Sequence, residues 1–145
     1  MLTPEEQLEL QRVRDEFAKC EQKPTYEIFC YEEMLEMDDG VKLRTIIYRP
    51  DREGAMPTIV VRTCYPQNDY LYRATAEEYC RRGFNYIYQY CRGTGGSEGE
   101  WEPNVNERPD GKKTIDWICD QEWVGDTGYT GCSYLSLTGW LIADI

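Results

Sequence analysis

The chain has 145 residues, enough for one ordinary domain with its own core. Its 27 acidic and 16 basic residues leave a net charge of −11, which argues against nucleic acid or an anionic membrane surface as a partner. Seven cysteines, odd in number and without C-x-x-C spacing, argue against a disulfide framework or a zinc ribbon, and histidine is absent.

Met1 to Cys20 is acidic and polar, unlike a secretory leader. No apolar run approaches membrane-spanning length. Cysteine usage of this kind points to a reducing, cytoplasmic setting, and each cysteine, Cys132 included, is expected as a small buried hydrophobe. No cofactor and no metal ion is expected.

Thr3-Pro4-Glu5-Glu6 is a helix start, with Thr3 as N-cap, proline at the first position and Glu6 closing a capping box. Leu10, Val13, Phe17 and Cys20 follow at steps of three and four and predict a surface helix packed by one face, ended by Pro24. Residues 26–37 and 41–48 read as strands around the turn Asp38-Asp39-Gly40. In the second, Val41, Leu43, Thr45 and Ile47 alternate with Lys42, Arg44 and Ile46, which predicts one buried face.

Residues 58–62 form a β-branched run without a polar face, as in a strand covered on both sides. A loop containing Tyr65 follows, then a helix over 70–82 stopped by Gly83, then a strand over 84–91. Arg92 to Trp101 is a glycine-rich loop. It is not a G-x-x-x-x-G-K-[ST] phosphate loop, no helix follows at once, and Glu98 and Glu100 would repel phosphate. A helix over 107–121, with Ile115, Trp117 and Ile118, packs on the sheet.

The last stretch, Thr127-Gly128-Tyr129-Thr130-Gly131-Cys132-Ser133-Tyr134-Leu135-Ser136, reads as a strand, a sharp turn at Ser133 and the start of an apolar helix over 135–145. A serine on such a turn exposes its hydroxyl as a nucleophile elbow does, and Gly131 keeps the strand and helix free of a Cβ where they approach. Leu135 breaks the strict G-x-S-x-G form, and a strand–turn–helix with a capping serine is the other reading of the spacing. An antiparallel pair followed by alternating strands and helices predicts an α/β fold, a mostly parallel sheet with helices on both faces. Tyr65, the Arg92 loop and Ser133 all follow strands, so they converge on the edge where such sheets form their sites.

In that order the residues resemble the α/β-hydrolase family of cocaine esterase and X-prolyl dipeptidyl-peptidases, the CocE/NonD family. The landmarks are Asp39-Gly40-Val41 and Tyr48-Arg49-Pro50, Val61-Arg62 with Tyr65, and Arg92-Gly93 with Gly96-Ser97-Glu98-Gly99. Asp110-Gly111, Thr114 to Ile118, Gln121, Trp123 and Gly131-x-Ser133-Tyr134 complete them. The family's elbow is G-x-S-Y-x-G, so Leu135 fits and Ser136 stands for a glycine. The resemblance implies a serine hydrolase acting on a small ester or amide or a short peptide, with Ser133 as nucleophile. Its oxyanion donors would be the Tyr65 hydroxyl and the Tyr134 backbone N–H, and Arg92 would anchor the glycine-rich loop.

Residues 1–25 are expected to be an N-terminal helical segment, and the resemblance further implies that residues 26–145 are the front half of the catalytic domain, truncated after the elbow. The triad's Asp and His would come from outside these residues. Tyr90 and Lys113 depart from the family's acidic residues. They and the missing histidine favour an alternative, a catalytically inactive hydrolase-like remnant that serves as an assembly or partner-binding module. An elbow strand left at the sheet edge is expected to invite self-association or a partner chain. Catalysis by Cys132 lacks a neighbour in sequence that would activate the thiol.

Overall fold

The computed structural model describes residues 2–143. Among them, helix α1 (Pro4–Ala18) precedes strands β1 (Ile28–Glu36), β2 (Lys42–Pro50) and β3 (Met56–Thr63). Helix α2 (Asp69–Cys80), β4 (Asn85–Tyr90), α3 (Glu107–Cys119), β5 (Val124–Tyr129) and α4 (Tyr134–Trp140) follow. The strands form one sheet in the order β1-β2-β4-β3-β5. β2 is antiparallel to both β1 and β4, whereas β4, β3 and β5 are parallel to one another. Every strand except β2 therefore points the same way, and the sheet is mostly parallel.

Side chains alternate across the sheet, so two cores form. Ile46, Tyr48, Val61, Tyr86, Tyr88 and Tyr90 lie on one face with Ala76 and Cys80 of α2. Ile47, Val60 and Ile87 lie on the other with Ile118 of α3. This corrects the reading of β2 as a strand with one buried face: Thr45, Ile46, Ile47 and Tyr48 are all buried. Helices cover both sides there, and the even-numbered positions find an apolar partner in the α2 core.

The face toward α3 also carries a polar layer. Gln89 Oε1 accepts from Arg62 Nε at 2.8 Å and from Thr114 Oγ1 at 2.9 Å, and Gln89 Nε2 donates to Thr45 Oγ1 at 3.0 Å. These residues are fully buried and their bonds offset part of the desolvation cost, although Arg62 Nη2 has no hydrogen-bond partner among the described residues.

The capping box at Thr3 and Glu6 is formed on both sides. Leu10, Val13 and Phe17 are half-buried, and Phe17 meets Tyr79 of α2 edge to face at 4.9 Å. Cys20 is exposed beyond the helix, which ends at Ala18, ahead of Pro24. The cysteines also correct the expectation of uniform burial. All seven are free thiols, but only Cys80 and Cys91 are buried, Cys64 is half-buried, and Cys20, Cys30, Cys119 and Cys132 are exposed. The exposed ones fall outside the two cores, on strand faces, helix ends and the elbow.

β5 is an edge strand, and much of it is exposed. A bulge shifts its register, because two steps along β3, from Met56 to Thr58, match three along β5, from Val124 to Thr127. α4 closes at Trp140, with a turn over 141–143, so it is shorter than the predicted helix, whose last two positions lie outside the described residues.

Candidate active site

Ser133 sits between the end of β5 and the start of α4 with φ 54° and ψ −129°. Among the described residues only Asn104 shares a positive φ without being glycine. Such a conformation costs an L-residue about 1–3 kcal/mol and persists only where the surroundings impose it. They do so by a close crossing: a Cβ on Gly131 would lie 2.6 Å from Leu135 Cβ and 2.8 Å from its carbonyl carbon. The strand must therefore turn back on the helix, and Ser133 is thrust outward and exposed.

The first hydrogen bonds of the turn run from Leu135 N–H to the Cys132 carbonyl and from Ser136 N–H to the Ser133 carbonyl, each at 3.1 Å. Tyr134 N–H stands ahead of both as the first N–H of the helix, a position with no intrahelical acceptor. The Tyr134 side chain turns away. Its hydroxyl donates to Glu107 Oε1 at 2.7 Å and accepts from Asn104 N–H at 2.9 Å. Burial, and then the Glu107 carboxylate, push its pKa well above the ordinary phenol range. The Tyr134 phenol is thus engaged by Glu107 and Asn104.

Tyr65 follows β3, Arg92 follows β4 and Ser133 follows β5, and these three strands are parallel and adjacent. Their loops therefore emerge at one sheet edge. Tyr65 is half-buried against the α2 core. Its N–H donates to Thr63 Oγ1 at 3.1 Å and its carbonyl accepts from Asn68 N–H at 3.1 Å, which fixes the turn into α2.

Arg92 lies under the edge as a clamp. It reaches Asp110 of α3 at 2.7 Å and Asp39 of the β1–β2 turn at 2.6 Å. The glycine-rich loop wraps over its stem, where a Cβ on Gly99 would meet Arg92 Cγ at 2.7 Å. Ser97 and Glu98 sew that loop to β2 through Arg44 N–H and the Lys42 carbonyl.

Both positions that depart from the family pattern are occupied structurally. Tyr90 is buried beneath Gly95, and its hydroxyl donates to Asp69 Oδ1 at 2.7 Å at the start of α2. Burial opposes ionisation of Asp69, but hydrogen bonds from Tyr90 and Arg73 outweigh it and hold the carboxyl below its usual range. Lys113 pairs with Asp38 at 2.9 Å.

Two clefts flank the elbow. One, of about 440 Å³, runs from Val13 past Tyr72 and Tyr86 to Cys132 and Leu135. The other, of about 290 Å³, lies between Tyr129, Ser136 and Trp140 on the opposite side of β5. Among the described residues no group of three or more Asp, Glu, Cys or His side chains is placed to hold a metal, and no helix is long and apolar enough to cross a membrane.

Sequence reasoning missed Glu107 and Tyr129. Each is decided by a contact across the fold, and the one local hint was a glycine, Gly139, inside the last helix.

The chain is also similar to known proteins in sequence and fold. Residues 39–144 match the sequence profile of the X-Pro dipeptidyl-peptidase (S15 family). The chain is 38% identical over 115 residues to cocaine esterase from Rhodococcus sp. (strain MB1 Bresler), a match that covers 76% of this chain and 20% of that protein. Among solved structures it is similar to a CocE/NonD family hydrolase from Staphylococcus aureus, with a TM-score of 0.69 at 24% identity over 81% of this chain and 25% of the other. An aminopeptidase from the marine sediment archaeon Thaumarchaeota archaeon gives 0.62 at 26% identity, over 80% of this chain and 23% of the other. The chain thus spans about a fifth to a quarter of the length of these relatives.

Proposed function

Because the chain belongs to the X-Pro dipeptidyl-peptidase (S15) family of hydrolases, we propose that it supplies the nucleophile and oxyanion hole of a serine hydrolase. The substrate class is a small ester or amide or a short peptide. The strained backbone of Ser133, held against Leu135 by the Cβ-free Gly131, is the observation that carries the reading. Few surface serines hold such a conformation, and a nucleophile elbow requires it.

In the reaction the Ser133 hydroxyl adds to the substrate carbonyl and loses its proton to a base. The carbonyl oxygen becomes an oxyanion, which accepts hydrogen bonds from Tyr134 N–H and the Tyr65 hydroxyl. Collapse expels the alcohol or amine, which takes the proton back from the base, and leaves an ester on Ser133. Water, giving a proton to the same base, then adds to that ester and releases the acid, and the base returns the proton to the Ser133 oxygen. The base is most often histidine, and these 145 residues hold none. Histidine and its carboxylate partner therefore come from residues beyond this stretch or from another chain. Residues 26–145 form the front half of the catalytic domain, and the exposed edge of β5 is where the remainder pairs.

The test is labelling with a fluorophosphonate probe in a native extract, read by intact mass with Ser133→Ala as control. A labelled species well above this chain's 17.1 kDa identifies a longer hydrolase, and one at that mass identifies a base supplied by a partner. A protein that never labels would be the inactive, partner-binding form, and the catalytic reading would fall.

A further inference from the structure

The β3–β5 ladder ends in an unusual way. Val60 and Tyr129 are register partners, and Thr130 N–H donates to the Val60 carbonyl at 3.1 Å. In a continuing parallel ladder the next β3 donor, Arg62 N–H, would go to a β5 backbone carbonyl. Here it goes to the Tyr129 hydroxyl, at 2.8 Å.

That hydroxyl lies 2.7 Å from Thr138 Oγ1, and Thr138 Oγ1 is 2.8 Å from the Leu135 carbonyl and 3.2 Å from the Arg62 carbonyl. Arg62 N–H can only donate, so the Tyr129 oxygen accepts from it, and its own proton is free for Thr138. Thr138 in turn donates to the Leu135 carbonyl. One directed chain thus joins the strand leading to Tyr65, the strand leading to Ser133 and the helix after Ser133.

The rest of the local sequence accommodates this phenol. Gly139 stands inside α4, where glycine costs about 1 kcal/mol relative to alanine. A Cβ there would overlap the Tyr129 ring. Thr138 is fully buried. Burial pushes Tyr129 up to about 12, so it remains a neutral donor and acceptor throughout the physiological range.

We propose that Tyr129 is a positioning residue: its hydroxyl spaces the end of β5 from β3 and so sets the separation of Ser133 from Tyr65. This rests on the serine-hydrolase reading above. The phenol acts through the backbones of Arg62 and α4. A looser elbow would still bind substrate, but it would present the nucleophile out of register with the oxyanion donors.

The test uses the protein expressed at full length from its native gene, with Tyr129→Phe, Thr138→Val and the double variant. Phenylalanine keeps the ring and the packing, so folding is preserved and is checked by circular dichroism. Two readouts are independent. Amide hydrogen exchange at Arg62 should speed up at least about tenfold in Tyr129→Phe, while Val60 keeps its protection. Turnover per site titrated with fluorophosphonate should fall about ten- to a hundredfold with KM unchanged, because a small misplacement acts on the chemical step.

The double variant should be no worse than either single one, as members of one chain are non-additive. Unchanged exchange at Arg62 would overturn the tether. Unchanged turnover per titrated site, or additive losses, would leave a purely structural bond and overturn the positioning role. A parent protein that never reacts with the probe would remove the hydrolase reading and the positioning role with it, and the exchange experiment would still report on the tether.

Discussion

Gly131 and Leu135 approach so closely that a Cβ on the first would lie 2.6 Å from the Cβ of the second. The obstacle is partly backbone and cannot rotate away. Gly131→Ala should therefore destabilise the fold by about 1–3 kcal/mol, the usual range for overpacking, and should reduce probe labelling of Ser133 by moving the elbow. Urea denaturation and labelling rates measure the two effects.

Ser133 pays for its exposed position in backbone strain. Ser133→Gly relieves a φ of 54° that an L-residue resists, although glycine also frees the unfolded chain. The net expectation is a gain of about 1 kcal/mol in unfolding free energy with complete loss of labelling. Ser133→Ala, which keeps a Cβ at the same φ, should lose labelling without that gain. Equal stability of the two variants in urea would mean that the elbow is unstrained.

Removing the Tyr65 hydroxyl with Tyr65→Phe should cost about a hundred- to a thousandfold in turnover, the loss typical of one oxyanion donor. Tyr134→Phe should leave turnover close to the parent, because that hydroxyl serves Glu107. Steady-state kinetics on the full-length protein separates the two, and equal losses would contradict the different roles given to these tyrosines.

The pair of Arg92 with Asp110 is nearly buried, with side chains 12% and 3% exposed, while Asp39 on the same guanidinium is 55% exposed. Arg92→Ala would strand the Asp110 carboxylate and should cost about 3 kcal/mol or more. Asp39→Asn should cost less than about 1 kcal/mol, as exposed pairs do. Urea midpoints at constant m-value decide it.

Alkaline pH should weaken the fold through Cys80 and Cys91. Burial raises both thiols from 9.0 to about 12. Below pH 9 both states hold the proton and stability is at its full value. Between pH 9 and 12 the unfolded chain ionises and the folded one does not, so stability falls with rising pH. The slope is at most about 1.4 kcal/mol per pH unit for each thiol. Cys80→Ala and Cys91→Ala should each flatten the decline in urea midpoint measured from pH 8 to 11.

Much of this molecule is local in origin and therefore legible in order. The capping box at Thr3 and Glu6, the turn at Gly40 and the strand–turn–helix around Ser133 each arise within a few residues, where backbone sterics and side-chain periodicity decide the outcome. The parallel order of β3, β4 and β5 follows from their alternation with helices. It is enough to bring Tyr65, Arg92 and Ser133 to one edge.

Other features depend on residues far apart in sequence. The two-sided burial of β2 needs α2, whose docking no pattern in residues 42–50 reveals. The turning of Tyr134 toward Glu107, the clamp of Arg92 between Asp39 and Asp110, and the bond from Arg62 N–H to Tyr129 span 18 to 67 positions. A single residue's chemistry names what it can bond to. Only the packed sheet, by fixing which donors are buried beside which acceptors, decides what each one bonds to.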